Sequence, residues 1–123
     1  MQNSLKNYGF IEPVPFKGDK LALMFQKQLK FAKLLKTKPE GQEYINIAIL
    51  AIICESMEAL QNTEWKPWKA SKVFNKVKFK EEIIDIWHFL INLSLAAGFD
   101  ENTLYKAFLR KNDINIQRQK QVY

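Results

Sequence analysis

The sequence predicts an all-α protein, an antiparallel helical bundle of about four main helices. Three observations carry this. No segment alternates apolar and polar residues for long. Long stretches repeat apolar residues at helical spacing. The breaks between those stretches are mostly short. The 123 residues form one domain, 1–123, with a core of ordinary size for that length.

Residues 1–18 read as an extended N-terminal segment, because Pro13 and Pro15 hold the chain out of the helical region. From about Asp19 to Lys36, LALMFQKQLKFAKLL is an amphipathic helix rich in good helix formers. Thr37 to Gly41 is a cluster of helix breakers. A second helix runs from about Gln42 to Gln61. Asn62 to Val77 (NTEWKPWKASKVFNKV) is polar and irregular, with Pro67 and two Trp, and reads as a functional loop. A third helix spans about Lys78 to Ala97 and stops at Gly98, a left-handed cap. Asp100 is a good N-cap for a fourth helix, about Glu101 to Gln117.

Composition narrows the function. The chain is 47% hydrophobic and 26% charged, which is globular rather than disordered. Lys+Arg 19 against Asp+Glu 13 gives +6, so an anionic partner is favoured. The longest apolar run, Ile45 to Cys54, contains Asn46 and is about half the ~20 residues that cross a bilayer, so no membrane partner is expected. A single Cys54 excludes an internal disulfide framework and, with no secretory pattern in MQNSLKNYGF, fits a cytoplasmic protein.

The apolar stripes change character along each helix. On the second, Ile45, Ala48, Ile52, Glu55 and Ala59 lie near one line, with Ile47, Ala51, Cys54 and Glu58 beside it. On the third, Lys78, Glu82, Asp85, Phe89, Leu93 and Ala96 align. On the fourth, Leu104, Phe108, Lys111, Asn115 and Arg118 turn from apolar to cationic. Antiparallel packing then predicts that four carboxylates and two cations meet at one end of the bundle, with Gln26 of the first helix near them. Four close, inward-facing carboxylates repel unless something neutralises them. A hard divalent cation does so, and Mg²⁺ keeps positions open for phosphate oxygens. Nearby Lys and Arg would then meet a polyphosphate. The bland alternative is a set of inter-helix salt bridges with Lys. Trp65 and Trp68 either cover the bundle end or serve the site. His88 and Cys54 have no evident chemical partners, and neither is assigned a role.

The pieces CESMEAL (54–60), WKPWK (65–69), EEIIDIWHFLINL (81–93) and KNDINIQRQKQVY (111–123) resemble, in order and spacing, the dimeric all-α dUTPases of the all-α nucleoside triphosphate pyrophosphatase (MazG-like) superfamily. That resemblance implies a Mg²⁺-dependent dUTP diphosphatase that yields dUMP and pyrophosphate. It makes Glu55, Glu58, Glu82 and Asp85 the Mg²⁺ ligands, with Glu55 also the catalytic group that deprotonates the attacking water. Phe89 would pack on uracil and Trp68 close over it. Asn115 would read the base edge, as would Gln26, although Gln28 lies better on the apolar stripe. Lys66, Lys111 and Arg118 would touch phosphates, with Tyr123 a further candidate. The chain is short for the family, so its additional mobile helices are expected to be reduced. Lys30 stands where relatives often carry Asn or Asp.

A homodimer is expected on two grounds, the apolar surface that one-sided helices leave in a chain this size and the family likeness. A broader MazG-like enzyme, or a dCTP/dUTP pyrophosphatase, is the first alternative. The second is a basic helical nucleic-acid-binding or regulatory protein. Against it, the cations of the fourth helix share a face with its apolar stripe, so no nucleic acid is expected as a partner.

Overall fold

The computed structural model describes residues 16–36, 38–70 and 73–122. These form four helices: α1 (Lys20–Leu34), α2 (Gln42–Gln61), α3 (Lys76–Ala96) and α4 (Glu101–Val122). Among the described residues there is no strand, so the all-α class holds. Pro13, Pro15, Thr37 and Tyr123 lie outside the described residues.

The helix ends follow their local chemistry. Asp19 caps α1, its Oδ1 accepting from the Ala22 N–H at 3.0 Å. Asn75 caps α3, which starts two residues earlier than the sequence suggests, by accepting from the Lys78 N–H at 3.2 Å. At α4 the caps are reciprocal. The Thr103 N–H donates to Asp100 Oδ1 at 2.7 Å, and the Asp100 N–H donates to Thr103 Oγ1 at 2.9 Å. Those bonds hold the Asp100 carboxyl below its usual range. Gly98 has φ +91°, the left-handed stop that its position implied. α4 runs to Val122, five residues past its expected end.

The α2–α3 pair is the centre of the fold. The Asn75 N–H donates to Asn62 O at 2.9 Å, which ties the end of α2 to the start of α3. The pair is therefore a hairpin, as expected. Glu55 lies six residues before the end of α2, and Glu82 six residues after the start of α3. The hairpin register brings them level. α1 packs across α3 through Phe25, Gln28 and Ala32, all buried, against a face of α3 that includes Ile91.

The fourth helix corrects one expectation. It was expected to fold back antiparallel and return its C-terminal half to the carboxylates. Instead the axes of α3 and α4 are bent by 100° at the break between them. Tyr105 to Gln121 are all exposed. The pattern identified an apolar face correctly, but within one chain little covers it.

The core is correspondingly small. Among the described residues, the buried apolar side chains are Phe25, Ala32, Ala48, Ala59 and Ile91. Leu50, Ile53 and Met57 form an open stripe along α2, and Tyr105, Phe108, Leu109 and Ile116 stand out on α4. No single helix among the described residues is long and apolar enough to cross a membrane.

Candidate active site

The site begins with helical spacing. Glu82 and Asp85 lie one turn apart on α3, and Glu55 faces them from α2. Carboxylate oxygens of the three lie within 4.8 Å of one another. Glu55 and Glu82 are half-buried and Asp85 is exposed. One oxygen of each glutamate, Oε2 of Glu55 and Oε2 of Glu82, is buried with no hydrogen-bond partner. Two ionised carboxylates cannot donate to each other, so the pair needs a shared proton or a cation.

The electrostatics follow from that conflict. Glu55 is pushed up to about 7, first by burial, then by Glu82, Glu58 and Asp85 around it. The contribution from Glu82 is a hydrogen bond that exists only while one of the two holds a proton. Glu58 lies one turn beyond Glu55 and is exposed. It raises Glu55 by its charge and by a side-chain hydrogen bond but is not among the three converging carboxylates.

The donor set fits a hard cation. All three ligating atoms are oxygens, the set that Mg²⁺ or Ca²⁺ takes. Mg²⁺ at ~2.1 Å from each oxygen would require pairs within ~4.2 Å, a little closer than the 4.8 Å within which these oxygens lie. The two orphaned oxygens are what such an ion would satisfy.

The loop after α2 carries two Trp and a cleft of its own. Trp65 and Trp68 pack edge to face, with ring centroids 5.7 Å apart at 83°. Lys66 Nζ sits 5.5 Å from the Trp65 ring centre, a cation–π contact. Trp68 is 71% exposed. A cleft of about 230 Å³ opens beside Gln61, Thr63, Trp65, Lys66 and Lys69. Phe89 is half-buried on α3, one turn beyond Asp85 on the carboxylate side of the helix.

The remaining site candidates lie on α1 and α4. Lys111, Asn115 and Arg118 are exposed on α4, beyond the bend. Gln26 is exposed on α1, while Gln28 is buried. The Gln28 amide Nε2 donates to His88 O at 3.1 Å and to Asn92 Oδ1 at 2.8 Å. Asn92 was not singled out by sequence. Its only signal there is its place seven residues after Asp85, on the same stripe.

A helical protein that sets three carboxylates from one hairpin around a common point defines a class, the all-α proteins with an acidic cluster able to hold a hard cation. Its particular family follows from comparison with known proteins. The dUTPase family model matches residues 20–97, the whole of α1, α2 and α3, and the chain belongs to that family. The match contains all four acidic candidates, Lys66, Trp68 and Phe89, but not α4. A relative is the dCTP pyrophosphatase of Enterobacteria phage T4, 28% identical over 71 residues. That alignment covers 48% of this chain and 42% of the phage protein, so the likeness spans less than half of either. No solved structure matches the chain.

Proposed function

We propose that this chain is a Mg²⁺-dependent dUTP diphosphatase that hydrolyses dUTP to dUMP and pyrophosphate in the cytoplasm. The observation that carries the reading is the cluster of Glu55, Glu82 and Asp85, with two orphaned oxygens, inside the segment matched by the dUTPase family.

Each residue has a chemical task in this reading. Glu82, Asp85 and Glu55 hold Mg²⁺, with Glu58 adding negative charge at the margin. The ion, when bound, supplies positive charge against the phosphate oxygens. Glu55 accepts the proton of the attacking water, a task open to a carboxylate set beside the ion. Phe89 and Trp68 stack on the two faces of the base. Lys66 meets phosphate at the rim. Gln26 reads the base edge, its exposed amide being open to a ligand.

The reading includes a homodimer. The open stripes on α2 and α4 are more apolar surface than a stable single chain leaves uncovered. Lys111, Asn115 and Arg118 then enter the site from the α4 of the second subunit. This keeps their proposed roles at phosphate and base edge while respecting the 100° departure of α4.

The name of the phage relative favours one second reading, a pyrophosphatase that also takes dCTP. Pyrophosphate release from dUTP, dCTP, dTTP and UTP, with Mg²⁺ and with EDTA, tests both. Selective, Mg²⁺-dependent turnover of dUTP supports the first reading, and equal turnover of dCTP the second. Equal turnover of all four overturns both in favour of a broad pyrophosphatase.

A further inference from the structure

Gln28 is the one buried polar side chain among the described residues, and its two bonds have a fixed direction. The His88 carbonyl belongs to the main chain and can only accept, so the end of Gln28 that faces α3 must be its NH₂. An NH₂ can only donate, so Asn92 must present its oxygen to Gln28. The planar Asn92 amide then turns Nδ2 to the opposite side. Among the described residues no acceptor meets that Nδ2.

Its position gives the free donor a use. Asn92 lies two turns beyond Asp85 along α3, ~10.5 Å further and ~20° away around the helix. Phe89 lies between them. One stripe of α3 thus runs carboxylates, aromatic ring, polarised amide. A nucleoside triphosphate laid along it would set its phosphates at the carboxylates and its base against Phe89, with the base edge toward Asn92. On the reading of a pyrimidine triphosphate hydrolase, we propose that Asn92 is a specificity-determining residue, its Nδ2 donating to the O4 carbonyl of uracil. Cytosine carries an amino group at that position and would set donor against donor. Gln28 is a positioning residue that acts through Asn92, because both donors of its NH₂ are spent on α3.

The test compares kcat/KM for dUTP and dCTP in the wild type, Asn92→Asp, Asn92→Ala, Gln28→Met and the Gln28→Met/Asn92→Ala double variant, with a thermal melt of each. Asn92→Asp keeps an oxygen for Gln28 but exchanges the free donor for an acceptor. Its dUTP-to-dCTP ratio is expected to fall by about tenfold or more, the scale of one buried hydrogen bond left unmade. Gln28→Met is expected to lower the ratio in the wild-type background and to leave it unchanged in the Asn92→Ala background. A purely structural pair would move the melting temperature and not the ratio. An unmoved ratio in Asn92→Asp overturns the inference while turnover itself upholds the enzyme reading. Absence of pyrimidine triphosphate turnover in the wild type overturns both. Should Asn92→Asp fail to fold, the wild-type side-chain amide resonances of Asn92 decide the matter. They shift on adding α,β-imido-dUTP if the proposal holds, and their constancy overturns it.

Discussion

Glu55 on α2 and Glu82 on α3 meet across the hairpin, each with its Oε2 buried and without a hydrogen-bond donor. The hairpin is closed by the Asn75 to Asn62 backbone bond seven residues from each, which holds α2 and α3 in the register that keeps the pair level. Without a cation, the native state must keep a proton there or bear the repulsion.

The metal-free protein is therefore expected to lose stability as pH rises from about 4.5 to about 7. Glu55 goes from an ordinary value of 4.5 in the unfolded chain to about 7 in the fold. Between those values the folded state binds a proton that the unfolded state has released, so raising the pH favours unfolding. Below 4.5 both states are protonated, and above 7 both are ionised, so the dependence flattens. Glu55→Gln removes the titration. With EDTA present, its melting temperature is expected to exceed the wild type by about 3–6 °C at pH 8 and to match it near pH 4. Circular dichroism melts check this. A wild type equally stable at both pH values would show that Glu55 bears no such penalty.

Mg²⁺ should raise the melting temperature of the wild type, because it binds the folded cluster and not the unfolded chain. Glu82→Gln and Asp85→Asn are each expected to abolish that rise. Each should also lower turnover by about 100-fold or more, beyond what is typical for residues that only orient a ligand. A Mg²⁺ shift that survives both substitutions would move the cation elsewhere.

Lys111 and Asn115 lie one turn apart on α4 and should divide their effects. Asn115→Ala is expected to reduce the preference for dUTP over dCTP, by about 1–3 kcal/mol for one lost base-edge pairing. Lys111→Ala should weaken both nucleotides alike, since the triphosphate is common to them. The reverse pattern would mean that α4 approaches in another register.

Subunit mixing tests where α4 acts. Glu55→Gln and Arg118→Ala dimers are each expected to be inactive. Unfolded together and refolded, they should regain about a quarter of wild-type activity, because half the dimers are mixed and each mixed dimer has one intact site. No regain would show that each site draws Glu55 and Arg118 from one chain.

Trp68 is 71% exposed, so its removal should leave the fold intact. Trp68→Ala is expected to raise KM for dUTP roughly 5- to 100-fold, the range of one base–aromatic stack, with an unmoved melting temperature. A lowered melting temperature with unchanged KM would make the ring a cover for the bundle end.

Much of this arrangement was legible in the sequence, for local reasons. Gly41, Asp19, Asp100 and Gly98 mark helix ends through backbone angle and capping chemistry, which depend on few neighbours. Helical spacing put Glu55, Glu82 and Asp85 on facing stripes, and the hairpin did the rest. The direction of α4 was not legible. An apolar stripe states that a face is covered, not by which chain, and the turn angle is set over the few residues from Ala97 to Asp100. Gln26 and Gln28 show a second limit. Two positions apart on a helix are ~160° apart around it, so motif likeness favoured Gln26 while packing buried Gln28. Asn92 carried no signal beyond its place on the Asp85 stripe, because its meaning comes from a Gln 64 residues away.

Gly98 gives α4 the mechanics of a lever. At φ +91°, with open space where a Cβ would stand, the site constrains its occupant by backbone angle alone. Asn115 lies 17 residues beyond it, ~25 Å at the helical rise. A swing of 10° at the pivot therefore carries Asn115 by ~4 Å, more than the length of a hydrogen bond. In the proposed reading, the reach of Lys111, Asn115 and Arg118 to a nucleotide would thus be set by one residue outside the site.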